Sequence, residues 1–208
     1  MANVLIAPEL EMFPNRKRWT AAECAELAAE GRLVGRYELL DGEIVSKMGQ
    51  NPPHALTLTL AMRVLAALFG LDFLRIQSPI TLPEPDGVYN EPEPDLAVTQ
   101  EATTEYADRH PGPDDLRLVV EVADTTLRTD LVVKALLYAR SGIPAYWVVD
   151  VVNRCLYLHH APTPDGYAEV RVLAETETVT FAEHPDKPVT VRDLLPPLPD
   201  PDAASQLA

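Results

Sequence analysis

The chain has 208 residues, 47% of them apolar, which is enough for one ordinary domain with a real core and too apolar for a disordered segment. Its formal charge of -15 argues against coating nucleic acid by bulk electrostatics, because such binding needs basic surface to displace counterions. No run of about 18 apolar residues appears. Only Cys24 and Cys155 are present, and MANVLIAPELEMF lacks the basic lead and long apolar core of a signal peptide. No membrane span, no disulfide framework and a cytoplasmic location are therefore expected.

Residues 1–18 read as an irregular arm ending in the basic cluster Arg16-Lys17-Arg18, expected to be solvated. Thr20 to Glu30 reads as a short helix, with Glu23 in capping-box spacing from Thr20 and Gly31 as its stop. Tyr37 to Met48 alternates around Asp41-Gly42, which predicts a β-hairpin. On its first strand Glu38 shares a side with Leu40. Its carboxylate must then lie at a sheet end or be held by a partner. Pro52-Pro53 open a helix running to about Phe69, with Leu56, Leu60, Val64 and Leu68 at helical spacing and Gly70 as its stop. Asp72 to Leu82 reads as a strand in which Pro79 marks an edge or a bulge, and residues 83–94 as a solvated loop rich in proline and acid.

Asp95 to Val98 and Leu116 to Val122 are short apolar runs of the kind buried on both faces of a sheet, joined by a polar surface loop with a helical turn. Thr129 to Ser141 reads as a helix carrying Asp130, Lys134 and Tyr138 on one face and Val133, Leu136 and Leu137 on another. Gly142 and Pro144 end it. Ala145–Val151, Arg154–His160, Tyr167–Leu173 and Thr176–Phe181 follow as strands, mostly antiparallel because the joins are short. Tyr146-Trp147 reads as core. His159 and His160 face opposite ways, which disfavours a two-histidine metal site and predicts a solvated strand end. The proline-rich stretch 196–208 reads as a disordered tail, leaving a domain over 19–195. A helix between two buried strands implies a crossover. The fold class expected is α/β: a mixed sheet flanked by helices, with additional antiparallel strands toward the C-terminus.

The chemistry concentrates between Glu91 and Asp150. Asp95 opens one buried strand, Glu121 closes the next, and Lys134 sits on the helix that follows. A divalent ion supplies a nucleophilic water and charge stabilisation for phosphodiester hydrolysis at neutral pH. Mg²⁺ takes hard oxygen ligands, usually one or two carboxylates completed by water and substrate. Asp95 and Glu121 suit it, the Val122 carbonyl is a further oxygen, and a lysine nearby orients the attacking water or steadies the phosphorane charge. Structural readings stand beside these. Asp95 also suits a turn cap, Lys134 an i,i+4 pair with Asp130, and Glu38 a cross-hairpin pair. Glu121 is the residue whose burial without a partner is hardest to explain structurally.

EPEPDLAV, LVVEVADTT, the Lys134 helix and GIPAYWVVD, together with YELLDGEIV and Pro52–His54, resemble the PD-(D/E)XK nuclease superfamily. They are most similar to its branch of small bacterial restriction-endonuclease-like proteins. The resemblance covers Thr20 to Asp150 well. It implies a restriction-endonuclease-like fold, with Asp95 as the motif aspartate, Glu121 at the D/E position, Glu38 as an acid supporting the metal, and His54 and Gln77 near the site. Two residues past Glu121 stands Ala123 where the superfamily pattern has lysine; in this branch that role passes to the next helix, here Lys134. The function expected is a DNA endonuclease dependent on Mg²⁺ or Mn²⁺. It would hold the ion through Asp95, Glu121, Val122 and Glu38, need no small-molecule cofactor, and act as a homodimer. The alternative is a catalytically inactive binding or structural module on the same scaffold.

Overall fold

The computed structural model describes residues 16–47 and 49–198, so the expectations for 1–15, Met48 and 199–208 lie outside the described residues. Helix α1 (Ala21–Ala29) begins at the expected capping box: the Glu23 N–H donates to Thr20 Oγ1 at 3.2 Å, and the Thr20 N–H donates back to Glu23 Oε2 at 2.9 Å. Strands β1 (Tyr37–Leu40) and β2 (Glu43–Ser46) pair antiparallel. Their turn puts Asp41 at φ 50° and Gly42 at φ 77°, the two positive values a type I′ turn requires. The basic cluster is not the solvated arm expected. Arg16 pairs with Glu43, Arg18 pairs with Asp41, and the Arg18 guanidinium lies over the Tyr89 ring.

Helix α2 (Pro52–Phe69) starts at Asn51, whose side chain accepts the His54 N–H at 3.0 Å, and stops at Gly70. By length and composition α2 is apolar enough to cross a membrane. Its buried stripe is Leu58, Ala61 and Leu65, packed on the sheet, whereas Leu56 is 42% exposed. Of the spacing read from the sequence, Val64 and Leu68 pack half-buried against this core while Leu56 faces solvent, because α2 is apolar on more than one side.

The main sheet has six strands in the spatial order β3 (Leu74–Ile76), β4 (Leu96–Thr99), β5 (Leu116–Ala123), β6 (Ala145–Asp150), β7 (Cys155–Thr163) and β8 (Gly166–Ala174). Only β5 and β6 are parallel, so the sheet is mixed as expected. The strand expected over 72–82 shrinks to three residues at the sheet edge. A 3₁₀ turn precedes it, Gln77 at φ 46° turns the chain off the ladder, and Pro79 has no N–H to donate. A single turn, α3 (Asp86–Tyr89), lies inside the acidic loop. That loop is not wholly solvated, since Glu93 is buried and paired with Arg36.

The β5–β6 crossover is a helix whose first part, Thr129–Lys134, is π-helical and whose second part is α4 (Ala135–Arg140). Strand β9 (Thr178–Val179) leaves the main sheet and pairs with a strand not foreseen, β10 (Val189–Thr190). One face of the main sheet is covered by α2 and the turn Val191–Leu194 over Leu96, Val98, Leu118, Val120 and Trp147. The other is covered by the crossover helix over Val119, Tyr146 and Val148. On this second face His159 is buried between the Tyr146 and Tyr167 rings, so the solvated strand end expected there is corrected.

Candidate active site

The site forms where β4 runs out beside β5. Their register pairs Leu96 with Val120 and Ala97 with Val119, and one further step sets Asp95 opposite Glu121. Both carboxylates lie on the face covered by the crossover helix. Beyond that step β5 has β6 on one side and no strand on the other, so the Val122 N–H needs another acceptor. Asp95 Oδ2 provides it at 2.9 Å. On the β6 side the Ala123 carbonyl accepts the Val151 N–H at 3.0 Å. Strand alternation then turns the Val122 carbonyl, like its N–H, toward Asp95.

The crossover helix supplies the cation. Lys134 Nζ is 2.8 Å from Glu121 Oε1 and 2.9 Å from Glu38 Oε2, and 3.9 Å from Asp130 Oδ1. Tyr138 donates its hydroxyl to the same Glu121 oxygen at 3.0 Å. Asp130 in turn accepts from Thr126 Oγ1 at 2.6 Å. In an α-helix, four residues overshoot a full turn by about 40°. The π segment, closed by the Ala135 N–H on the Asp130 carbonyl, uses more residues per turn and offsets that drift. Asp130, Lys134 and Tyr138 thereby form one stripe, all buried, while Val132 and Val133 are exposed. The helix therefore turns this polar stripe inward beside the apolar residues Ala135, Leu137 and Ala139 that it also buries.

Glu38, Asp95, Glu121, Val122, Asp130 and Lys134 line a cavity of about 340 Å³ bounded by the hairpin, the start of α2 and the loop after β5. Five carboxylates reach its wall (Glu38, Asp95, Glu121, Asp124, Asp130) against three cationic side chains (Arg36, Lys47, Lys134). Burial alone would raise Asp95, but His54 beside it, Lys47 and the Val122 N–H outweigh burial and hold its carboxyl down at about 2. Burial pushes Glu121 up to about 8 although Lys134 pulls the other way. Burial would lower Lys134, but Glu121, Glu38 and Asp130 more than offset that and keep it an ammonium. Asp130 is raised by burial.

No group of three or more His, Cys, Asp or Glu side chains converges on a metal position among the described residues. The donor set fits a cation that needs only two carboxylates and completes its shell with main-chain oxygen, water and substrate, as Mg²⁺ does. Asp95 and Glu121 would be the two carboxylates for such an ion, and Glu121 Oε2 carries no hydrogen bond among the described residues. His54 Nε2 is buried without a hydrogen-bond partner and lies 3.5 Å from Asp95 Oδ1. A buried polar atom left unpaired here marks a place for a group the chain itself does not supply.

Of the residues singled out from sequence, Asp95, Glu121, Val122, Lys134, Glu38, His54 and Gln77 all line this cavity. Glu38 contacts Lys134 and, at 3.9 Å, Lys47. Gln77 bridges Arg36 and Asp95, accepting from the guanidinium at 2.9 Å and donating to Asp95 Oδ1 at 3.3 Å. Sequence reasoning missed Arg36, Lys47 and the hydroxyl of Tyr138 as part of the site. The first two were within reach: a hairpin closed by Asp41-Gly42 sets Arg36 opposite Lys47, on the same side as Glu38.

No curated protein matches the chain. Among solved structures, the crystal structure of "a putative nuclease belonging to DUF820" from Anabaena variabilis matches with a TM-score of 0.59 at 14% identity, covering 81% of this chain and 96% of that one. That likeness shows a shared fold. The Uma2 family model, described as "Putative restriction endonuclease", matches residues 26–186. Its span takes in the hairpin, both carboxylate-bearing strands and the crossover helix, and the chain belongs to the Uma2 family.

Proposed function

We propose that the protein is a DNA endonuclease dependent on Mg²⁺ or Mn²⁺. The observation that carries this reading is the pairing of Asp95 and Glu121 across the end of β4 and β5, with the Lys134 ammonium buried against Glu121. A bound divalent ion supplies Lewis acidity and a water that ionises near neutral pH. Asp95, Glu121 and the Val122 carbonyl are the groups that would hold it, with Glu38 supporting it through water and fixing Lys134. An ammonium has three donors. Two of those of Lys134 are engaged by Glu121 and Glu38. The third is available to orient the attacking water or to steady charge on a phosphate oxygen. Tyr138 and Gln77 position Glu121 and Asp95. Arg36 and Lys47 are the cationic side chains on the hairpin wall of this otherwise acidic cavity that a phosphate could meet. A double-strand cut is most simply made by two copies of such a site.

A second reading, an inactive module on the same scaffold, is favoured by the charge of -15 and by Ala123 at the usual lysine position. Calorimetric titration of Mn²⁺ into wild type and Asp95→Asn, beside nicking of supercoiled plasmid by the same samples, separates the two. Binding and nicking that vanish together in Asp95→Asn are expected. No Mn²⁺ binding to wild type would remove the enzyme reading.

A further inference from the structure

The last strand of the main sheet, β8, is the longest exposed edge in the molecule, and among the described residues no strand lies beyond it. The direction of its main-chain groups follows from its end. The Ala174 N–H donates to the Glu177 carboxylate at 2.7 Å, and the Ala174 carbonyl accepts the Glu177 N–H at 2.9 Å, on the side away from β7. Alternation turns the N–H and C=O of Val172 and Val170 outward as well. Val170 and Val172 are each 53% exposed, on the sheet face shared with Tyr157 and His159. Glu169 and Arg171 flank Val170 on the opposite face, both exposed and without an ion-pair partner among the described residues.

Long exposed edges are ordinarily blocked by like charges, proline or a bulge. Residues 168–173 of β8 have none of these, and the charges they carry are of opposite sign. We propose that β8 pairs with β8 of a second copy of this chain, antiparallel about a two-fold axis at Val170, joining two sheets into one of twelve strands. This register sets Val170 across from Val170 as a hydrogen-bonded pair, Val172 across from Ala168, and Glu169 across from Arg171 twice over. Glu169 and Arg171 occupy the non-hydrogen-bonded positions, where side chains approach most closely. Shifting the axis by one residue still lets the outward main-chain groups face one another, but it sets Glu169 against Glu169 or Arg171 against Arg171, which is destabilising. Charge thus favours the axis at Val170 over its two neighbours, giving the self-complementary surface a closed dimer requires.

The pairing does not depend on the nuclease reading, and its failure would leave the metal-site titration untouched. Joined to that reading, it has a geometric consequence. The two β5 strands lie seven strand spacings apart, about 34 Å at ~4.8 Å each, close to one turn of duplex DNA.

Sedimentation velocity from 1 to 100 µM, with circular dichroism melts as the fold control, tests the proposal on wild type, Arg171→Glu, Glu169→Arg and the double charge swap. Wild type is expected to be dimeric. Each single reversal should weaken dimerisation by about 10-fold or more, because it creates two like-charge pairs. The double swap should restore it to within about threefold of wild type. Val170→Pro, which removes the central outward N–H without touching the β7 ladder, should give monomer with an unchanged melt. A wild type that stays monomeric at 100 µM overturns the proposal. So does a dimer indifferent to both single reversals, which would place the interface elsewhere.

Discussion

One face of the main sheet is packed by apolar side chains, while the other sets a buried cluster of charged groups beside its apolar core at the same depth. Beneath α2 lie Leu96, Val98, Leu118, Val120 and Val149, an apolar core that closes by area burial alone. Beneath the crossover helix, Glu38, Asp95, Glu121, Asp130 and Lys134 are each 5% exposed or less. Replacing a buried ion cluster by well-packed apolar residues is often neutral or stabilising, so such a cluster is weak evidence for stability. The α2 face shows that this sheet can build an ordinary core. The acids and lysine opposite are therefore the residues the proposed chemistry draws on, and the π turn, the inward polar stripe and the positive φ of Gln77 cluster around them.

The sharpest way to break the comparison is Asp95→Asn. It should lower divalent-dependent nicking by more than the 10–100-fold typical of changes outside the metal's own ligands, with the melt little changed. Full plasmid cleavage by this variant would reduce Asp95 to a strand-end cap for Val122. Next come two stability variants, one on each face. Lys134→Met leaves Glu121 without its cation and Glu38 with only Lys47 at 3.9 Å, and should cost about 3–5 kcal/mol. Adding Glu121→Gln should recover part of that loss, read by urea denaturation. Leu65→Ala on the α2 face should cost about 2–5 kcal/mol by leaving a cavity, while Mn²⁺ affinity stays as in wild type. An equal loss of Mn²⁺ binding in Leu65→Ala would erase the functional distinction between the faces.

A smaller effect concerns pH. Burial raises Glu121 from its ordinary value of 4.5 to about 8, so the fold favours its protonated form. That contribution is complete below about 4.5 and is lost as pH rises through about 8. A cation at Glu121 needs the ionised form and displaces the proton. The rise in Tm produced by Mn²⁺ should therefore be larger at pH 8.5 than at pH 6, and equal shifts at both would show Glu121 ionised throughout. Asp95, held at about 2, stays ionised across this window and adds no slope of its own. Smallest of all, Gln77→Ala frees one Asp95 oxygen and should weaken Mn²⁺ binding by about 10-fold. Calorimetry would show wild-type affinity if Gln77 served only the Arg36 contact.

Several elements were legible because their causes are local. The Thr20–Glu23 box, the Asp41-Gly42 turn and the Pro52-Pro53 start and Gly70 stop of α2 are each set by residues within a few positions of the feature. The errors have local patterns too, but distant causes. Strand 72–82 is ended by the positive φ of Gln77, whose amide is drawn to the Asp95 carbonyl at 3.0 Å. His159 looked like a solvated strand end and is buried because Tyr146 and Tyr167 close over it from two neighbouring strands. Val133 looked like part of an apolar packing face and is exposed, because the buried acids claim the inward side of the helix.

By itself the sequence determined the mixed α/β layout and pointed to seven of the residues that line the cavity: Asp95, Glu121, Val122 and Lys134 through short apolar runs, a crossover helix and misplaced charges, and Glu38, His54 and Gln77 through the family resemblance. Only the tertiary structure decided that Asp95 stands across from Glu121, that Lys134 bridges Glu121 and Glu38, and that Arg36, Gln77 and His54 close around Asp95. Those contacts join residues tens of positions apart. They depend on strand register and on one π turn, each fixed by packing and by the acceptors a buried donor must find, not by any pattern along the chain.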